Sequence, residues 1–344
     1  MKTILRLIMI LLVLATPVSA MDFTAPEAPN TQYMPADTQS FSDGLWHVIK
    51  TALADIGPYF TEASEVCLSI IAVMLIVSIA HNFSGAPKKI IDLIATLSIG
   101  VVLLKPSNSL INLGVRTIEE LTQYSKLLLP VMTAALAAQG GITASAALYT
   151  GTAIFSTVLS TAVSKLIVPM IYIFLCICVA NNAIGQNLLK NLKGFIKWLM
   201  VWSLKIVLYV FTGFLGITGV VSGTADAAAV KATKLAISGF VPVVGSILSD
   251  ASETILVSAG VMKSAAGVYG LLAMFAVCAG PFLQIGIQYL LLKLTSAVCS
   301  VFGVEGSVGL LEDFSTVMGL VLAMTGSVCL FLLISTVCFM KGVN

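Results

Sequence analysis

Side chains that could carry chemistry are few and scattered in this sequence. Its two histidines, His47 and His81, have no acidic residues at a local spacing that would complete a metal site. The sequence also lacks a phosphate-binding Gly-x-x-x-x-Gly-Lys-Ser/Thr loop, so we do not expect it to hydrolyse ATP. We therefore predict no catalytic, cofactor-binding or metal-binding residues and no cofactor.

The cysteines do not suggest a metal centre or a disulfide framework. Their number is odd, and all of them lie in or beside apolar runs rather than in polar loops. Cys176 and Cys178 are two residues apart and would not face each other on a helix. We interpret the thiols as buried apolar groups. The set is Cys67, Cys176, Cys178, Cys278, Cys299, Cys329 and Cys338.

Charged residues inside apolar surroundings are the first functional candidates. Lys205 lies within a predicted span, where an ionisable group is costly and often functional. Its proximity to a basic loop favours the simpler interpretation that its ammonium group reaches the membrane surface. Asp250 and Glu253 lie one helical turn apart. They would line a polar path if their segment re-enters the membrane, or would be ordinary solvated charges if it does not.

Helix-breaking residues are the second group of candidates. Gly239, Pro242 and Gly245 resemble a helix break, and Pro281 follows Gly280 inside a later span. Irregular backbone at membrane depth is tolerated only where it faces protein or water. These positions therefore indicate a pore, a packing site, or simply a surface turn.

The composition indicates a membrane protein. Hydrophobic residues make up 58% of the 344 positions and charged residues only 10%, with a mean hydropathy of +1.04. Soluble domains carry about 25% charged residues. A net charge of +2 without interleaved aromatic and basic residues excludes a nucleic-acid partner. We predict an all-α polytopic protein in contact with the lipid bilayer.

The first twenty residues are typical of a secretory signal peptide. Lys2 and Arg6 precede a short apolar run, and Val18-Ser19-Ala20 forms a small-residue cleavage site. An uncleaved anchor is the alternative. Both place the following residues outside the cytoplasm.

Six apolar segments are predicted to span the membrane. Basic residues at 88–89, 190–197 and 293 place those loops in the cytoplasm, which leaves both chain termini extracytoplasmic. Small-residue stretches at 130–163 and 235–265 must each cross twice, as helical hairpins, or not at all. The predicted spans are 62–82, 90–104, 165–185, 198–221, 267–292 and 316–340, and we assign 305–313 to a Gly-rich loop.

A parallel internal repeat is also predicted. Pro130 and Pro169 are separated by 39 positions, as are Pro242 and Pro281, and each pair leads into two strong spans. The resulting division is: 1–20 signal peptide; 21–61 extracytoplasmic polar segment and amphipathic helix; 62–106 transmembrane hairpin; 107–129 amphipathic helix; 130–221 first repeat unit; 222–344 second repeat unit.

Residues 222–270 carry a family resemblance. Their sequence, SGTADAAAVKATKLAISGFVPVVGSILSDASETILVSAGVMKSAAGVYG, resembles the stage III sporulation protein AE family of endospore-forming bacteria. The resemblance implies a multipass protein of the mother-cell membrane around the forespore. It also implies work in a channel or secretion complex with other stage III sporulation membrane proteins, a secretion-type ATPase and intermembrane ring proteins. No residue-level role is implied.

Two functional hypotheses follow. The chain is a non-enzymatic component of a transenvelope channel complex, or it is a self-contained small-solute transporter built from two repeats. A transporter should converge several polar groups on one site at mid-membrane depth, whereas a scaffold should show small-residue packing faces without such a site. An intramembrane enzyme ranks far below both.

If packing or a helix break matters more than charge in the central block, Pro242→Leu or Gly245→Leu should impair sporulation more than Asp250→Asn. Counting heat-resistant spores of each variant measures this. Equal tolerance of all three substitutions contradicts the prediction.

Overall fold

The described part of the chain is built from helices. A computed structural model describes residues 27, 31–35, 40–83, 87–138, 142–184, 189–217, 265–302 and 304–341. Short 3-10 turns at Thr31–Tyr33 and Ser300–Phe302 and a π-helical segment at Val163–Ile167 accompany eight α-helices. These are α1 Phe41–Ala54, α2 Ile56–Phe83, α3 Lys88–Ala138, α4 Ile142–Ala162, α5 Val168–Ile184, α6 Lys190–Ile217, α7 Ala265–Cys299 and α8 Glu305–Lys341.

The fold class predicted from composition is confirmed. Within the described ranges, six helical stretches are long and apolar enough to cross a membrane. Other predictions concern residues outside those ranges: the signal peptide 1–20, most of the stretch 235–265, and the candidates Gly239, Pro242, Gly245, Asp250 and Glu253. The internal repeat, which needs Pro242, stays a prediction.

Helix α8 lies at the centre of the bundle. In an apolar window of 18 residues, 78% of its positions are buried, against 17% for α6. The contacts of α8 show in which direction each neighbouring helix runs relative to it. Thr96 lies beside Ser307, and Gly114 beside Val321, so α3 runs parallel to α8. Gly319 faces Tyr289 and Gly326 faces Phe282, so α7 runs antiparallel to it.

The α4–α5 unit also runs antiparallel to α8. The Thr152 and Ser335 hydroxyls are hydrogen-bonded at one end, and Asn182 faces Gly309 at the other. The π-helical segment Val163–Ile167 joins α4 to α5 without interrupting this long unit. The first small-residue stretch, 130–163, therefore forms the end of α3 and the whole of α4.

Helix α3 corrects two predicted boundaries. The sequence suggested that a span ends at Lys105-Pro106 and that a separate helix covers 107–129, but α3 runs unbroken over 51 residues with Pro106 and Pro130 inside it. Each proline removes only one backbone hydrogen bond. Packing along α8 outweighs that loss. At 1.5 Å per residue the helix is about 77 Å long, more than twice the roughly 30 Å of a hydrocarbon core.

Helix α7 is likewise continuous, so the predicted interruption at Gly280-Pro281 is wrong. Pro281 lies within the helix, and Gly280 provides space for the side chain of Tyr33. A methyl group there would lie 3.1 Å from the ring and hydroxyl of Tyr33, so glycine admits that side chain. Tyr33 Oη is 3.2 Å from Tyr59 Oη, and burial raises the pKa of the Tyr33 phenol.

The amphipathic helix predicted within 21–61 corresponds to α1. Helix α1 starts at the Ser40 cap, whose hydroxyl accepts a hydrogen bond from the Asp43 amide, and ends at Ala54. One face of it packs on α7 through Val48 and Ala52. Three large apolar residues of the helix, Trp46, Ile49 and Leu53, are exposed on another face. Their exposure is what a helix on a membrane surface requires.

The tight α3–α8 contact gives a stability test. In Gly114→Ala the new methyl group would lie 2.6 Å from Val321 Cγ1, on a β-branched side chain with little rotamer freedom. Gly286→Ala in α7 is the matched control, because nothing lies within 4 Å of its added methyl group. Both gain the same helix propensity, so overpacking should separate them by about 1–3 kcal/mol. Thermal unfolding in detergent measures the difference, and equal midpoints contradict the packing described.

Candidate functional site

The ends of four helices meet around Asp313. Helix α5 ends at Ile184, α6 begins at Lys190, α7 carries Lys293 near its end, and α8 begins at Glu305. The lysines at 190–197 and 293, which were predicted to lie in loops, are helical: residues 190–197 form the first turns of α6, and Lys293 lies within α7. Asp313, in the third turn of α8, is the buried carboxylate of this region.

Asp313 is held by two partners from different helices. Lys193 Nζ lies 2.9 Å from Oδ1 and donates to Oδ2 at 3.0 Å. Asn182 Nδ2 donates to Oδ2 at 2.7 Å and to the Cys178 carbonyl oxygen at 2.8 Å. The side chains of Lys193 and Asp313 are only 24% and 10% exposed. Such a pair is strongly coupled, and losing one partner leaves a costly charge behind.

Two glycines allow α8 to approach α5 at this point. A methyl group on Gly306 would lie 2.7 Å from the Asn182 carbonyl oxygen, and one on Gly309 would lie 2.5 Å from Asn182 Oδ1. These glycines predicted a loop at 305–313. That prediction is wrong: the segment is the first part of α8, and its glycines provide close contact rather than a turn.

Two further contacts between polar side chains lie on these helices, one between α3 and α8 and one between α2 and α3. Thr96 Oγ1 is 3.5 Å from Ser307 Oγ and also donates to the Asp92 carbonyl oxygen at 2.8 Å. The side chain of Asp92 lies 2.9 Å from His81 Nε2, although the two atoms are outside hydrogen-bonding geometry. Local spacing in the sequence does not predict this contact, because His81 lies on α2 and Asp92 lies on the next helix, α3.

An open cleft of about 620 Å³ lies between the same helix ends. Four lysines and two acids contribute to its wall, which leaves a net charge of +2. The lining residues are Phe174, Lys190, Asn191, Lys193, Gly194, Lys197, Lys293, Glu312, Asp313 and Thr316.

The two predicted candidates within the described ranges are not part of this cluster. Lys205 is half-buried on α6, twelve residues beyond Lys193 and therefore about 18 Å away along the helix. Pro281 lies twelve residues before Lys293 on α7. Six of the seven cysteines are buried as predicted. Cys176 is exposed, so the prediction is wrong for that residue.

Local sequence patterns do not identify Asp313 as a site residue. Its partners Lys193 and Asn182 are more than 100 positions away, so no local spacing connects them. One signal was present: an acid just before the most apolar span, and lysines just after another. Matching the two would require knowing that the C-terminal end of α5 and the N-terminal ends of α6 and α8 lie at the same level.

Comparison with known proteins decides the family. The family model for stage III sporulation protein AE matches residues 38–342. The chain belongs to this family. It is also similar to the stage III sporulation protein AE of Bacillus subtilis (strain 168), with 20% identity over 193 residues, 56% of this chain. That match spans about half of the relative, 48% of its length. No solved structure matches the chain.

Family membership and the long apolar helices together describe a membrane protein of a sporulation family, and the site is a cluster of charged and polar side chains from three helices. In the described ranges, no three His, Cys, Asp or Glu side chains gather where they could hold a metal ion. The Lys193–Asp313 pair joins α6 to α8, and Asn182 joins α5 to the same carboxylate. The arrangement holds helix ends together and presents further lysines to the cleft.

Breaking the pair should destabilise the protein. Asp313→Ala leaves Lys193 and Asn182 without their acceptor, and the loss should reach about 3 kcal/mol, the lower end for a buried pair, because Lys193 keeps some contact with water. Glu312→Ala is the control, since Glu312 is an exposed acid in the same cleft, and should cost less than about 0.5 kcal/mol. Thermal unfolding in detergent compares them. Equal losses would show that the pair contributes little.

Proposed function

We propose that this chain is a non-enzymatic, multipass component of the channel or secretion complex between mother cell and forespore. Its family is a sporulation family, which supports the setting. In this proposal the chain sits in the mother-cell membrane around the forespore. Its partners are other stage III sporulation membrane proteins, a secretion-type ATPase and intermembrane ring proteins. The packing of α8 is the observation that carries the scaffold role.

The buried hydroxyl groups of the bundle support a scaffold. Seven of the sixteen buried serine and threonine residues in the described ranges donate to a carbonyl oxygen four residues earlier on their own helix, so these donors are used within that helix. The donors are Thr96, Thr117, Thr122, Thr295, Thr325, Ser327 and Thr336. Side chains bonded in this way do not offer donors to a solute.

The alternative, a self-contained transporter, needs polar groups that converge at one depth. Among the described residues, Tyr124 Oη and Ser315 Oγ are buried hydroxyls that make no hydrogen bond. By the α3–α8 register, in which Thr96 meets Ser307, Tyr124 lies level with about position 335. It is therefore about 30 Å along the bundle from Ser315. Two hydroxyls so far apart do not form one substrate site.

An exposed apolar face on α6 supports assembly with other membrane proteins. Among the described residues, α6 is the least covered of the six long stretches, and many of its exposed side chains are large and apolar. Trp198 and Trp202 lie 5.9 Å apart between ring centroids and continue into Ile206 on the same surface. A large apolar surface of this kind suits contact with lipid or with another membrane protein.

Site-specific crosslinking in sporulating cells tests the proposal. A photoreactive amino acid replacing Trp202 or Ile206 should capture other stage III sporulation membrane proteins. The same group replacing Phe314, which is fully buried on α8, should give only intramolecular products. Capture from Phe314 but not from α6, or solute flux through vesicles containing the purified chain alone, would contradict the proposal.

A further inference from the structure

We infer that the lysine-lined cleft between α5, α6, α7 and α8 binds the phosphate of an anionic phospholipid. The cleft of about 620 Å³ combines three features that such a headgroup needs. It has unneutralised positive charge, open space among the helix ends, and exposed apolar surface beside it for the acyl chains. The inference does not depend on the proposed function.

The charge of the cleft is concentrated on three lysines. Lys193 is neutralised by Asp313 at 2.9 Å. In the described ranges, the close pairs of oppositely charged side chains are this one and His81–Asp92. Lys190, Lys197 and Lys293 also line the cleft with no described carboxylate within 4.0 Å, and with the exposed Glu312 in the same wall the net charge is +2. Three ammonium groups around one cavity form a site for a phosphate group.

The first turns of α6 add to the positive potential. Lys190, Asn191, Lys193 and Gly194 all line the cleft, so the N-terminal end of a 28-residue helix borders it. The helix dipole places partial positive charge at that end. At Gly194 an added methyl group would meet nothing within 4 Å, which leaves room beside the lysines.

Apolar side chains next to the cleft favour a lipid over a soluble anion. On α6, Trp198 lies one turn beyond Gly194 and is 53% exposed, with Phe195 stacked on it at 6.1 Å between ring centroids. On α7, Leu290 and Leu294 flank Lys293 and are 63% and 60% exposed. Tryptophan is enriched at headgroup level, and lysines at helix ends reach the same level. Headgroup and acyl chains would therefore contact adjacent surfaces.

Native mass spectrometry of the full chain in detergent provides the test. We expect phosphatidylglycerol to remain bound at concentrations where phosphatidylcholine with the same acyl chains does not. One lysine near an anionic surface strengthens binding by about fivefold. The triple variant Lys190→Gln/Lys197→Gln/Lys293→Gln should therefore lose phosphatidylglycerol affinity by on the order of 100-fold.

Two matched variants separate charge from misfolding and from general basicity. Lys88→Gln/Lys89→Gln removes two exposed lysines at the start of α3, on the same predicted side of the membrane but outside the cleft, and should leave the affinity unchanged. The triple arginine variant Lys190→Arg/Lys197→Arg/Lys293→Arg should keep the preference. Circular dichroism should show the same helix content in all variants.

Several outcomes would overturn the inference. One is equal retention of the two lipids, and another is the same loss in the Lys88/Lys89 variant. Inorganic phosphate that binds at low millimolar concentration without lipid, with the same lysine dependence, would identify a free anion as the ligand. An acidic peptide that displaces phosphatidylglycerol and binds more tightly would identify a protein segment instead.

Discussion

The structure depends on one constraint: α8 is the most buried of the long helices, so a charged group on its buried face needs a partner inside the bundle. Hydroxyl groups such as those of Thr325 and Ser327 find a partner on their own helix. A carboxylate cannot do so. Asp313 therefore requires partners from other helices, and Lys193 and Asn182 supply them. This charge therefore ties the ends of α5 and α6 to α8, in addition to the apolar packing between these helices.

Close packing and charge pairing act together at this point. The Asn182 amide reaches Asp313 because Gly306 and Gly309 let α8 approach the end of α5. Larger residues at either glycine would push the two helices apart and lengthen the hydrogen bond. Small residues in membrane helices thus do more than increase contact area: here they determine which polar groups can meet.

Much of the fold could be predicted from sequence, because the membrane imposes a strong pattern of long apolar helices. Helix boundaries were less predictable. Pro106, Pro130 and Pro281 suggested ends, yet each lies inside a continuous helix, because packing against neighbours compensates for one missing backbone hydrogen bond. The Asp313 site was not predictable. From the sequence alone, the lysines at 190–197 indicate only orientation in the membrane, and the glycines at 306 and 309 indicate only a loop.

The lysines near α6 therefore have two separable roles. Lys193 neutralises Asp313 inside the bundle. Its neighbours Lys190 and Lys197 line a cleft that is open at the surface of the bundle. If orientation in the membrane were their only role, lysines anywhere in the loop would serve equally well. Their arrangement around one cavity, together with Lys293 from α7, is more specific than orientation requires. It places a site for a negatively charged headgroup at the point where α5, α6, α7 and α8 are held together.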